Sequence, residues 1–447
     1  MSDLIAARAQ MGTSLAFHIV FASIGIGLPL LLIIAEGLYL RTKNPVYIQL
    51  AKKWAQATAI LFAVGAVSGT VLSFELGLLW PGFMQFAGPI IGMPFSMEGF
   101  AFFIEAIFLG LYLYGRKRLS PVAHWLTTIP LAISGAASGI FVIAVNGWMN
   151  SPTGFRMVDG EAVDVHPLDA MFNPAWFPEA LHGTLAAYVA VGFAVAAVYA
   201  VGILRGRNNE YHRKGMGLGL LMGCVIIPLQ LLSGDIAARH VAEYQPAKLA
   251  AMEAQYETQS CAPLHIGGIP DPANKTVNFA IEIPCGLSLL AHHDPNAVIK
   301  GLNDFPANET PNTFIVHSNF MLMVGTGTAL LLLAGWVGFF YWRKRRLPAN
   351  KKFLWLTAIC GPFGFIALEA GWIVTEVGRQ PWIVYGFFKT TDAVTPTPGL
   401  LPAFIGFSLI YLALSGIVIW LLRRLTKVQP KDSLELPQKK EGDFSVA

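Results

Sequence analysis

Apolar residues run almost unbroken over twenty or more positions at nine places in the chain, at about 14–40, 54–80, 94–114, 122–148, 178–204, 215–234, 313–340, 353–377 and 402–423. Polar and charged residues gather in the intervals. Each run is long enough to cross roughly 30 Å of hydrocarbon. Lipid offers no partner to a backbone N–H or C=O, so runs of this kind must be helices. The pattern predicts an all-α polytopic membrane protein with nine transmembrane helices. Residues 1–234 hold helices one to six, 235–312 a long loop, 313–423 helices seven to nine and 424–447 a tail. Within the loop, "QPAKLAAMEAQYETQ" predicts a short helix with Pro246 in its first turn. The rest of the loop, rich in Pro, Gly and Asn, reads as irregular. "MSDLIAARAQMGTS" lacks a basic segment followed by a short apolar core, so the first run reads as a retained helix rather than a removed signal.

Composition supports this reading. Of 447 residues, 54% are hydrophobic and 13% charged, about half the charged share of a soluble domain. The net charge of +4 matters less than its placement. If nine helices alternate, 23 of the 31 Lys and Arg residues fall on one side, in 41–53, 115–121, 205–214, 341–352 and 423–447. The positive-inside rule puts that side in the cytoplasm and the N-terminus outside, in a bacterial cytoplasmic membrane protein. Juxtamembrane clusters of this sort exclude nucleic acid as a partner; membrane lipid is the surrounding medium. Cys261 and Cys285 share the long extracytoplasmic loop, an oxidising place that leaves a disulfide between them open. Cys224 and Cys360 lie in apolar runs and read as small buried hydrophobes.

The candidate chemistry lies in polar residues at membrane depth. His18, His182, Glu98, Glu105 and Glu369 sit inside apolar runs, where a charge costs on the order of 2.5–3.5 kcal/mol. A lone histidine there can simply bond a backbone carbonyl, and Glu36, Glu75 and Glu179 lie near helix ends, where no role is assigned to them. Glu98 and Glu105 are different. Seven residues turn a helix by about 700° and advance it about 10.5 Å, so both carboxyls share one face, two turns apart. Glu369 and Glu376 repeat the step. A stacked pair of buried carboxyls is suited to relaying protons. Met321 and Met323, in "NFMLMVGTGT", point to different sides of their helix, so only one can face a given neighbour.

Together, "GRQPW" (378–382), "KLAAMEAQYETQ" (248–259), "MEGFAFFIEA" (97–106), "NGWMNSPTG" (146–154) and the placement of His18 and His182 resemble subunit I of the cytochrome bd-type quinol oxidases. The resemblance spans roughly Arg8 to Trp382. It implies a haem-bearing subunit that oxidises quinol at the outer face and reduces O2 to water, taking protons from the cytoplasm without a pump. It implies a low-spin haem b held by His182 and Met323, a high-spin haem b, and a haem d or further haem b. His18 and Glu369 match the ligands of the two high-spin haems, and which serves which stays open. Lys248 and Glu253 match the quinol-binding loop. Glu98 and Glu105 match carboxylates of proton delivery, and Ser138 and Asn146 polar positions of a proton path. Arg379, Gln380 and Trp382 belong to the family's signature, and Arg8 matches a haem-propionate partner. The implied partners are quinol, O2, a second subunit and, in some members, a small single-helix subunit.

The chain departs from the family's pattern at Met321, where better-studied members carry a charge, and at Ala106, where they carry a hydroxyl; its loop is of the shorter type. Met321 is thereby a reserve ligand candidate. Two other classes use the same residues: a proton-coupled transporter working through the buried carboxylates, and a haem-containing electron conduit that does not touch oxygen.

Overall fold

The computed structural model describes residues 2–348 and 350–427. Among these, nine helical spans are long and apolar enough to cross a membrane: Asp3–Thr42, Pro45–Leu79, Pro81–Gly115, Pro121–Asn150, Trp176–Leu204, Glu210–Tyr244, Thr313–Lys344, Lys351–Arg379 and Leu401–Lys427. The fourth is broken at Thr127 and the eighth at Gly361–Pro362. The spans exceed the apolar runs because hydropathy marks the lipid boundary and not the end of the helix. The sixth does not stop at 234. It continues to Tyr244, where an Asp235–Arg239 pair at 2.8 Å occupies successive turns, so the loop starts at 245. Residues 428–447 of the tail lie outside the described residues.

Helix starts are set by side chains that satisfy the free N–H groups of the first turn. Ser2, Asn44, Asn209, Asn312 and Asn350 each accept a backbone N–H there. Asp3 does the same across the fold, accepting from Gly399 and Leu400 at 3.0 and 2.9 Å. The N-terminus is thus fixed at the start of the ninth span, on the end of the bundle that carries the long loop.

The fifth span is the most buried and the ninth the least. Without a hydrophobic drive between helices in lipid, close packing depends on small residues. The fifth and sixth spans cross at Gly192 and Gly219. A Cβ on Gly219 would lie 2.6 Å from the Ala196 nitrogen, and one on Gly192 2.7 Å from the Gly223 nitrogen.

The long loop is ordered rather than irregular. Its helix, Pro246–Met252, lies where the sequence predicts it. Three antiparallel pairs follow: Gln259–Ser260 with Val298–Ile299, Leu264–Ile266 with Ile281–Ile283, and Ile269–Asp271 with Thr276–Asn278. Cys261 and Cys285 are joined by a disulfide. Ala250, Ala251, Met252, Tyr256 and Leu302 pack on Val316 and Val374, seating the loop on the seventh and eighth spans. Two smaller segments share this end: a hairpin at 156–163, where Arg156 pairs with Asp164, and another at 382–389.

Candidate functional site

The two candidate histidines are held in the same manner. His18 on the first span places Nδ1 3.0 Å from Ser68 Oγ on the second. That hydroxyl already donates to the carbonyls of Val64 and Gly65, so the contact is a donation from His18 Nδ1–H, and Nε2 keeps its lone pair. His182 on the fifth span places Nδ1 3.1 Å from Ser233 Oγ on the sixth, and Ser233 donates to the Gln230 carbonyl. Unlike at His18, the amide nitrogen of Gln230 stands against this ring, 3.1 Å from Nε2 and 3.2 Å from Nδ1. Fixing one ring N–H to orient the other nitrogen is the usual support of a metal-binding imidazole. A glycine lies beside each ring: a Cβ on Gly69 would come within 3.0 Å of His18, and one on Gly234 within 3.3 Å of His182.

The methionines part company. Met323 turns its sulfur towards the eighth span, where a Cβ on Gly371 would lie 3.1 Å from it. Met321 turns to the loop and accepts the Gly267 N–H at 3.3 Å. Beside it, fully buried His317 contacts the carbonyls of Met252 and Gly267 at 2.8 and 3.1 Å. Glu369, two residues before Gly371, has a buried Oε1 without a hydrogen-bond partner. Imidazole nitrogens, a thioether and a bare carboxyl oxygen make a donor set that fits haem iron.

Glu98 and Glu105 lie on the third span. Ser138 on the fourth donates to Glu98 at 3.4 Å. Glu105 is 5% exposed and sits between the first and fourth spans; a Cβ on Gly135 would be 3.3 Å from its carboxyl, and one on Gly25 3.5 Å. Small residues on both neighbours leave room for this carboxyl.

At the loop end, Asn146, Lys248 and Arg379 converge on a residue the sequence did not single out, Asn150. Asn146 donates to Glu376, which Arg379 pairs at 2.5 Å. The Asn150 oxygen accepts from Lys248 Nζ at 2.9 Å and Arg379 Nη1 at 3.3 Å. Its nitrogen donates to Asn146 Oδ1 at 3.0 Å and Glu179 Oε1 at 2.9 Å. The stem of Lys248 crosses Gly378, where a Cβ would lie 2.9 Å from it. Lys248 is 3% exposed; burial and Arg379 lower its pKa, against the pull of Glu179 and Glu376. Glu253, just past the loop helix, does not pair with Lys248. It is 4% exposed, its Oε2 has no partner, and burial pushes its carboxyl up to about 8. A cavity of about 190 Å³ opens beside Asn150, walled by Pro174, Tyr244, Tyr385 and Phe387.

Gln380 accepts from Thr390 at 2.9 Å, and the Lys389 ammonium stands 5.0 Å over the Trp382 ring. Arg8 is exposed. The carboxylates given no role are all engaged: Glu36 with Arg116, Tyr112 and His124 at 2.5, 2.7 and 3.0 Å, Glu75 with Gln10 at 2.9 Å, and Glu179 with Asn150. Ser68 and Ser233 carried no sequence signal beyond being polar in apolar surroundings, and Asn150 entered only as one position of "NGWMNSPTG".

Comparison with known proteins gives the family and the fold. Residues 6–430 match the family model described as cytochrome bd terminal oxidase subunit I. The chain is 40% identical over 438 residues to a putative cytochrome bd menaquinol oxidase subunit I of Bacillus subtilis, covering 97% of this chain and 98% of that protein. It is 28% identical to cytochrome bd-II ubiquinol oxidase subunit 1 of Escherichia coli, over 86% of this chain and 88% of that one. Among solved structures, the bd oxidase from Geobacillus thermodenitrificans superposes with a TM-score of 0.91 at 39% identity, covering 96% of this chain and 99% of that one.

Proposed function

The chain belongs to the cytochrome bd terminal oxidase subunit I family, and from that premise we propose that it is the haem-bearing subunit of a respiratory oxidase that takes electrons from quinol and reduces O2 to water. The observation that carries the reading is the pair of serine-backed histidines, whose Nδ1 atoms lie 3.0 and 3.1 Å from buried hydroxyls of the neighbouring span. His182 and Met323 would hold a low-spin haem b. His18 and Glu369 would serve two high-spin haems, one b-type and the other d-type or a further b-type. When bound, the haems supply one-electron transfer and an open iron position for O2.

The residues of the chain bind substrate and move protons. Lys248 and Glu253 face quinol at the loop. Lys248 is a buried donor for a quinol oxygen, and Glu253 offers an unpartnered carboxyl oxygen to a quinol hydroxyl. Glu105 takes a proton arriving between the first and fourth spans, and Glu98, two turns towards the loop end, passes it on with the Ser138 hydroxyl in reach. Asn146 lies on the same span as Ser138, two turns nearer the loop. With the basic connectors in the cytoplasm, quinol protons leave outside while protons for water are drawn from inside. Charge is then separated without a pump. The partners are a second subunit, quinol and O2, in a bacterial cytoplasmic membrane.

The test is a reduced-minus-oxidised absorbance spectrum of the purified complex with O2 uptake on added quinol. Haem bands and quinol-dependent uptake are expected. A complex without haem would be a transporter using the buried carboxylates, and one with haem but no uptake an electron conduit. Pyridine haemochrome analysis then assigns the haem types.

A further inference from the structure

The amide of Asn150 is bonded on both its oxygen and its nitrogen, with Glu179, Lys248 and Arg379 among its partners. Its Nδ2 has two N–H bonds, and both are used, on Asn146 and on the Glu179 carboxylate. Its Oδ1 faces two cations, Lys248 and Arg379, and also accepts from Gln245 Nε2 at 3.2 Å. The amide cannot be turned over, because exchange would set an oxygen against Glu179 and N–H groups against two cations. The backbone carbonyl of Asn150 accepts the same Gln245 amide at 2.7 Å. Gln245 immediately precedes the loop helix Pro246–Met252, which carries Lys248. One residue at the end of the fourth span therefore grips the start of that helix and the ammonium it presents. It also ties both to Glu179 on the fifth span and Arg379 on the eighth. Asn150, Lys248, Gln245 and Arg379 are each at most 3% exposed, so water is a poor substitute for any of these contacts.

We propose that Asn150 is a positioning residue for quinol oxidation: it fixes Lys248 and the loop helix against the membrane spans, and so sets the affinity for the quinol head. The inference rests on the reading of Lys248 as a quinol-binding residue. It requires that the amide act as a two-way adapter, an acceptor towards the cations and a donor towards Glu179.

The adapter can be rebuilt with its parts exchanged. Asn150→Leu removes both functions. Asn150→Asp keeps the acceptor and sets a carboxylate against Glu179. Asn150→Asp with Glu179→Gln restores a donor–acceptor pair towards the fifth span with the roles reversed, while an oxygen still faces Asn146 Oδ1. The experiment measures KM and kcat of the purified oxidase complex with short-chain ubiquinol and menaquinol analogues, with haem content read from the reduced spectrum and Lys248→Ala as reference. Asn150→Leu and Asn150→Asp are expected to raise KM about tenfold, the effect of losing a hydrogen bond to a charged group, with haem content and kcat little changed. The double variant is expected to reverse most of the rise in KM seen in Asn150→Asp, stopping short of wild type because Asn146 Oδ1 still lacks its donor. If Asn150→Leu does not assemble, Asn150→Asp alone and combined with Glu179→Gln carries the test. Unchanged KM in the Asn150 variants, where Lys248→Ala raises it, overturns the inference alone. A double variant as impaired as Asn150→Asp also overturns it. Unchanged KM in Lys248→Ala overturns the quinol reading of that lysine, and the inference with it.

Discussion

The sulfur of Met321 accepts the backbone N–H of Gly267 at 3.3 Å, so a turn of the long loop is pinned to the seventh span two residues before Met323. His317, one turn earlier, holds the carbonyl of the same glycine. The seventh span thus presents one methionine to the loop and the next to the eighth span, where Gly371 leaves space for the Met323 sulfur. The two thioethers, two residues apart, have different structural partners.

Replacing Met323 by Ala should therefore abolish the low-spin haem band, and Met321→Leu should leave it in place. The reduced-minus-oxidised spectrum reads both. Loss of that band in Met321→Leu, with Met323→Ala unaffected, would reverse the ligand assignment. Met321→Leu should instead loosen the loop turn at Gly267, seen as faster proteolysis near residues 266–268.

Glu105 and Glu98 should separate in the same spectrum. Glu105 lies beside glycines of the first and fourth spans, and Glu105→Ala is expected to slow O2 reduction while largely sparing haem content. Glu98, bonded to Ser138, is expected to disturb the high-spin haem bands as well when replaced by Ala. Gly135→Ala should behave as a mild form of Glu105→Ala, because its new methyl lies 3.3 Å from that carboxyl. Full oxidase activity in both glutamate variants would remove the relay.

The shared face of Glu98 and Glu105 could be read from their spacing, because helical period is a local property of the chain. The nine spans were legible for the same reason, and so was the loop helix with Pro246 in its first turn. Helix ends were not. Asp235 and Arg239 look like the start of a loop, yet they are one turn apart on a helix that has left the lipid. The loop strands escaped notice because two or three residues are too short to show an alternating pattern. Asn150 and Glu179 escaped for another reason: the meaning of each lies in partners far away in sequence, Lys248 98 residues from Asn150 and Arg379 229 residues from it. No local pattern encodes such a meeting.

The Cys261–Cys285 disulfide closes a stretch with sequence separation 24, within which the paired strands 264–266 and 281–283 lie. Cross-links of native loops contribute about 2–4 kcal/mol, chiefly by restricting the unfolded chain. Cys261→Ser with Cys285→Ser should leave haem content intact, speed proteolytic cleavage between residues 260 and 286, and raise the KM for quinol. Cleavage at the wild-type rate would show that the strand pairs hold this region unaided.

Glu253 gives the loop a dependence on pH whose direction follows from its burial. Its carboxyl titrates near 8 in the folded loop, against an ordinary value of 4.5. Between those values the folded state holds a proton that the unfolded chain has released, so stability falls as pH rises through that window. The contribution is complete at the acid end and lost above about pH 8. Proteolysis of the loop in the purified complex should therefore be faster at about pH 9 than at about pH 6, and Glu253→Gln, which cannot ionise, should flatten the difference. The effect on turnover has the opposite sign, since only the ionised carboxylate can accept a quinol proton. Quinol oxidation should accelerate as pH rises towards 8, and Glu253→Gln should lose that limb of the profile along with most of its activity. A Glu253→Gln complex that kept the wild-type pH profile would assign the proton-accepting step to another group.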